Sequence, residues 1–285
     1  MKKNKLVMPV LKWVGGKRQL IESIKKNMHK VTKDTTYYEP FMGGGAVLFE
    51  LQPQKAIVND INPELINVYR VIKDNVEELI KELSKAKYTN NSECFYNIRE
   101  LDREPKKYRK LNDIQKAARV LYLNKTCYNG LYRVNSAGEF NTPFGRYNNP
   151  NIINAAGLRA VNKYFNEADI IFLNEDFEGS IEGVKRGSVV YLDPPYAPIS
   201  ETSNFTGYNE SGFGELEQSR LKKACDKLTE DGINILLSNS DCEFIRMLYS
   251  DENKYKIIPV KAKRAINGNG DSRGEISEVL IKNNV

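Results

Sequence analysis

Histidine occurs once in this chain, at position 29, tryptophan once, at position 13, and the four cysteines form no Cys-x-x-Cys pair. One histidine cannot furnish a histidine-based triad and leaves most transition-metal centres short of ligands, so no metal is expected. Proton chemistry falls to other groups. Cys94, Cys127, Cys225 and Cys242 are too scattered for a zinc site or a disulfide framework and are expected as reduced structural thiols. No apolar run approaches the roughly 20 residues of a bilayer span, and the lysine-rich start leads into mixed polar sequence instead of a signal-peptide core. A cytoplasmic protein without membrane association is expected.

The 285 residues, 40% of them hydrophobic, suffice for one large core or two ordinary ones. A net charge of +6 suits an acidic polymer, yet many proteins that bind no nucleic acid are equally basic.

The pattern is one of strands that end in chemistry. A strand over 35–38 runs into Glu39-Pro40-Phe41-Met42-Gly43-Gly44-Gly45 and then a helix over 46–51. Such a turn lets a ligand lie on bare backbone at a helix N-terminus. Leu48 stands where a dinucleotide fingerprint requires glycine, which favours a nucleoside without a diphosphate. The strand over 56–58 delivers Asp60, spaced from the turn as a ribose-binding acid would be. Asp60 or Asn62 as the cap of a helix running to about residue 87 is the competing reading. The strand over 170–173 ends at Asp176-Phe177, a carboxylate and a ring suited to adenine, with a helix cap again the alternative. The apolar strand over 189–192 ends at Asp193-Pro194-Pro195-Tyr196, and the polar stretch over 198–214 reads as a substrate-closing loop. Strands over 233–237, 255–260 and 279–281 complete the sheet, and 261–274 is a basic, glycine-containing loop expected to face an anion.

At the start, Lys12-Trp13-Val14-Gly15-Gly16-Lys17 places Lys17 where it can meet a carboxylate. Between 88 and 165 the chain turns helical and basic. Within it, 128–147 reads as two short strands around a turn at 136–138, with Leu131, Arg133 and Asn135 on one face. In a major groove, Arg133 would pair with a guanine edge and Leu131 would touch a thymine methyl, while Arg146 and Tyr147 would hold phosphate or a displaced base. An ordinary surface hairpin is the alternative. Because the turn at 43–45, Asp60, Asp176 and Asp193 all fall at predicted strand ends, one ligand crevice is expected.

Taken in this order, Lys-Trp-x-Gly-Gly-Lys (12–17), Glu-Pro-Phe-x-Gly-Gly-Gly (39–45), Asn-Gly-Leu-x-Arg (129–133), Phe-Gly-Arg-Tyr (144–147), Asp-Pro-Pro-Tyr (193–196) and Ser-Arg-Gly-x-Ile-Ser-Glu (272–278) resemble the Dam family of S-adenosylmethionine-dependent DNA adenine-N6 methyltransferases. The likeness covers essentially the whole chain. It implies an α/β Rossmann-like methyltransferase fold with a mixed, mainly parallel seven-stranded sheet. The catalytic domain would span 1–68 and 166–285, and a mainly helical target-recognition domain with a β-hairpin would be inserted at 69–165.

The same resemblance implies the cofactor S-adenosyl-L-methionine, held by Trp13, Gly15, Gly16, Lys17, Glu39, Pro40, Phe41, Gly43, Gly45, Asp60, Ile61, Asp176, Phe177 and Asp193. Duplex DNA would be contacted by Lys12, Asn129, Leu131, Arg133, Asn135, Pro143, Arg146 and Tyr147, with GATC as the expected site. Tyr132 and Val134 depart from the family's hairpin, on the opposite face. Asp193, Pro194, Pro195 and Tyr196 form the expected catalytic set. The target adenine would rotate out of the duplex, stack on Tyr196, and give its two N6 hydrogens to the Asp193 carboxylate and the Pro194 carbonyl. A monomer is expected, with a restriction endonuclease of the same site as a candidate partner. An amino-group methyltransferase acting on RNA or protein, or a catalytically inactive DNA-binding relative, are the alternatives.

Overall fold

The computed structural model describes residues 3–198, 213–263 and 275–285. Most of the expected substrate-closing loop (199–212) and most of the basic loop over 261–274, with Arg264 and Arg273, lie outside the described residues, as does the start of the motif at 272–278.

Seven strands form one mixed sheet: β1 (Tyr37–Glu39), β2 (Lys55–Asn59), β3 (Asp169–Leu173), β4 (Val189–Leu192), β5 (Asn234–Ser240), β6 (Tyr255–Lys263) and β7 (Glu275–Asn283), in the order β3-β2-β1-β4-β5-β7-β6. β1 runs parallel to β2 and β4, and β4 parallel to β5, whereas β7 is antiparallel to β5 and β6. The fully buried run Val189-Val190-Tyr191-Leu192 is what a parallel sheet covered on both faces demands. The helix Ala46–Leu51 matches expectation. By contrast, the helix expected to run to about residue 87 is two helices, Pro63–Asp74 and Val76–Leu83, broken where Asn75 takes φ −140°. β7 is longer than its apolar segment because pairing with β6 carries its polar first half.

The chain forms two compact units, both discontinuous in sequence. The first comprises Met1–Gly16, Gly43–Gln52 and Asp60–Asn174, and the second Lys17–Met42, Pro53–Asn59 and Glu175–Val285. In the second, Tyr38, Val190, Leu192, Ile235, Leu237, Val279 and Ile281 from the sheet pack with Leu221, Cys225 and Leu228 of the helix Glu215–Glu230. In the first, Phe49, Tyr69, Phe165 and Phe172 interlock ring on ring, and Arg70 and Lys73 donate to the Phe172 and Ile170 carbonyls of β3. No helix among the described residues is long and apolar enough to cross a membrane.

Candidate active site

In the second unit, β4 ends at Leu192 and hands Asp193 to the close of a fully buried strand. Lys17, only 8% exposed, places Nζ 2.9 Å from Asp193 Oδ1 and 4.5 Å from the centroid of the Tyr196 ring. Burial pushes the Asp193 carboxyl up to about 6, against the pull of Lys17, and the Glu278 charge adds to the rise. The Tyr196 hydroxyl donates to Glu278 Oε2 at 2.7 Å. Burial and the neighbouring carboxylates of Asp193 and Glu278 raise its pKa well above the usual phenol value.

The backbone beyond Asp193 is fixed by buried amides. Gln218 Nε2 donates to the Pro195 carbonyl at 2.9 Å and its Oε1 accepts from Asn239 Nδ2. Asn239 Oδ1 accepts from Ala197 N, and Ser240 Oγ donates to the Ala197 carbonyl. Rigid prolines at 194 and 195 do the rest, so the segment is set before any ligand arrives. Glu39, buried at the end of β1, accepts from the Tyr37 hydroxyl at 3.0 Å, and Pro40 beside it is buried, its carbonyl taken by Asn59 Nδ2. Phe41 packs on Phe177 (5.4 Å between centroids) and edge-on against Phe213. Asp176 is the cap of the helix Phe177–Ser180, accepting from Glu178 N, and also pairs with Arg220 at 2.9 Å. Its carboxylate therefore already has two partners.

In the first unit, the glycine turn bears on the lone tryptophan. Gly43 takes φ +49° and a Cβ there would meet Trp13 Cδ1 at 3.0 Å, while one on Gly44 would meet Trp13 Cβ at the same distance. Gly45, left-handed at φ +68°, precedes the helix Ala46–Leu51. Asp60 accepts from Gly43 N and from Asn62 N, both at 2.9 Å. Burial raises its pKa, opposed by those two amides. The helix cap is Asn62, whose side chain accepts from Leu65 N. Asp60 thus ties the strand end to the turn. Gly15 is left-handed at φ +77°, and Gly15, Gly16 and Ile61 are exposed.

The expected DNA-contacting residues also fall in this unit. The hairpin is narrower than its periodicity suggests: among the described residues it has no continuous strands but two isolated antiparallel bridges, Val134 to Phe140 and Cys127 to Phe144, and the turn runs from Asn135 to Gly138. Asn135 braces that turn. Its Oδ1 accepts from Ala137 N and Glu139 N and its Nδ2 donates to Glu139 Oε2. Arg133 is exposed, with Nε on Asn141 Oδ1 at 2.7 Å; Leu131 is half-buried. Asn129 and Arg146 are exposed in left-handed backbone, and Lys12, Pro143 and Tyr147 are exposed as well. The Pro143 carbonyl accepts from Tyr128 N, and the Tyr147 carbonyl from Asn90 Nδ2.

Residues 13–266 match the family model for the D12 class of N6 adenine-specific DNA methyltransferases. The chain belongs to this class. It is 42% identical over 284 residues to the type II methyltransferase M1.LlaDCHI of Lactococcus lactis, covering 99% of this chain and 98% of that one. It is 42% identical over 293 residues to the type II methyltransferase M.MjaIII of Methanocaldococcus jannaschii (97% and 99%), and 36% identical over 283 residues to the DNA adenine methylase of Escherichia coli (98% and 95%). The protein is an adenine-specific DNA methyltransferase of the S-adenosylmethionine-dependent kind.

The residues present fit that cofactor: a tight turn with no room for side chains beside Trp13, and a half-buried acceptor, Asp60, bound to that turn. What sequence reasoning passed over in this class member are Glu278, Gln218, Asn239 and Ser240, which orient Tyr196 and the segment after it. The 272–278 motif contained Glu278 and the close of β5 contained Asn239, but neither carried a role of its own.

Proposed function

We propose that the methyltransferase acts on N6 of adenine within GATC, after rotation of the base out of the duplex. The observation that carries this reading is the Lys17, Asp193 and Tyr196 arrangement: a carboxylate and an aromatic face held together by one buried ammonium. Asp193 and the Pro194 carbonyl accept the two N6 hydrogens, which draws the nitrogen toward a tetrahedral form and frees its lone pair. Tyr196 supplies the stacking surface and Glu278 holds its hydroxyl. The cofactor supplies an activated methyl on sulfur. Asp60 is assigned to the ribose hydroxyls, Trp13 and the 43–45 turn to close backbone contact, and Glu39, Phe41, Asp176 and Phe177 to the remainder of the cofactor.

Residues 69–165 are assigned to target recognition and 1–68 with 166–285 to catalysis. Arg133 reads guanine, Leu131 a thymine methyl, and Lys12, Asn129, Asn135, Pro143, Arg146 and Tyr147 complete the DNA surface. Since two of the relatives are named type II methyltransferases, a restriction endonuclease of the same site is the proposed partner, and the enzyme is taken as a cytoplasmic monomer.

Sequencing-based mapping of modified adenines in DNA from expressing cells tests the site: modification confined to GATC is expected, and another motif would overturn it. For base rotation, 2-aminopurine at the target position is expected to brighten on binding. An unchanged signal from a bound duplex would overturn that step.

A further inference from the structure

The glycine turn and the hairpin are joined within the first unit by a continuous set of contacts. Trp13 lies against Gly43 and Gly44 and stacks on Tyr132, with ring centroids 4.8 Å apart and planes 24° from parallel. Tyr132 meets the buried Phe140 edge-on at 5.6 Å. Phe140, on the opposite arm of the hairpin, is gripped at both backbone groups: its N–H donates to Asp102 Oδ2 at 2.7 Å and its carbonyl accepts from Arg103 Nη2 at 2.9 Å. A second tie runs alongside. Buried Asn124 accepts from Lys12 N and donates to the carbonyls of Lys12 and Gly130, so the segment before Trp13 and the start of the hairpin share one side chain.

Tyr132 lies in sequence between Leu131 and Arg133, the two residues assigned to base readout, and its ring rests on the residue that packs on the glycine turn. It is also one of the positions at which the hairpin departs from the family pattern. We propose that Tyr132 is a positioning residue that couples cofactor binding at the glycine turn to duplex readout by the hairpin, through its stack on Trp13. This rests on the site assignments above. Aromatic stacks prefer particular separations and tilts, so a ligand that fixes Trp13 also fixes Tyr132 and the backbone on either side of it. By linkage the effect is reciprocal: the factor by which cofactor tightens DNA binding equals the factor by which DNA tightens cofactor binding.

The test is equilibrium binding of S-adenosylhomocysteine and of a GATC duplex, each alone and in the presence of the other, to the full chain and to Tyr132→Phe and Tyr132→Leu. Coupling of about fivefold or more is expected in the unmodified protein and in Tyr132→Phe, and a factor near one in Tyr132→Leu, with each ligand alone bound as before. Trp13 is the sole tryptophan, so its emission reports the stack directly; duplex addition is expected to shift it in the first two proteins and not in the third. Tyr132→Met provides a second ringless variant if Tyr132→Leu fails to fold. Undiminished coupling in the ringless variants, absence of coupling in a protein that binds both ligands, or equal loss of each ligand alone would overturn the proposal. Failure of the unmodified protein to bind either ligand would instead overturn the site assignments on which it rests.

Discussion

Lys17 Nζ touches both groups assigned to the target base: it lies 2.9 Å from the Asp193 carboxylate and 4.5 Å from the Tyr196 ring centre. A cation so placed opposes the neutralisation of Asp193 by burial, and it lies over the Tyr196 ring, the proposed stacking surface.

Asp193 carries the first prediction. With its carboxyl raised to about 6, the ionised acceptor forms as pH rises through that value, so kcat/KM for methylation is expected to climb through about 6 and level off above it. Lys17→Met removes the influence that lowers this pKa and is expected to move the limb to higher pH. A profile flat over roughly pH 5 to 8 would remove Asp193 ionisation from the mechanism. Asp193→Ala is expected to abolish methylation while fold and duplex binding persist, and radiolabelled methyl transfer with parallel gel-shift measurements checks both.

Gly43→Ala places a Cβ 3.0 Å from Trp13 Cδ1 on backbone at φ +49°. Left-handed backbone costs a residue with a Cβ roughly 1 to 2 kcal/mol, so a stability loss of that order is expected in chemical denaturation. Calorimetry is expected to show weaker cofactor binding than the stability loss alone explains.

Arg133→Ala is expected to cost about 1 to 3 kcal/mol of binding to the cognate duplex and to relax sequence choice at one position. Asn141, which holds Arg133 Nε, is expected to give a smaller loss of the same kind when changed to alanine. Competition binding against single-base variants checks this, since equal weakening on every sequence would make Arg133 a phosphate contact.

Arg119 is 2% exposed and its Nη2 lies 2.6 Å from Asp102 Oδ2, the same oxygen that accepts from Phe140 N. Removing one partner of a buried ion pair costs about 3 to 5 kcal/mol, because the other charge is left without compensation. Asp102→Ala is therefore expected to destabilise the protein by that order in urea unfolding and to loosen the hairpin, read as faster amide exchange at Phe140.

Periodicity and composition by themselves located the buried strand ahead of Asp193, the glycine turn after Glu39 and the acid at the end of β2, because strand burial and turn chemistry are local properties. They marked the hairpin too, although its strands reduce to two isolated bridges around a turn that the Asn135 side chain braces. That Asn62 rather than Asp60 caps the helix needed tertiary structure, as did the reach of Asp60 back to Gly43 N. So did the pairing of Lys17 with Asp193, the grip of Gln218 and Asn239 on the segment after it, the hold of Glu278 on Tyr196, and the stack of Trp13 on Tyr132. Each joins residues far apart in the chain through side chains whose local sequence reads as an ordinary helix, strand or loop. Local pattern fixes which face of an element is buried, whereas only the packed fold decides which distant polar group or ring it meets there.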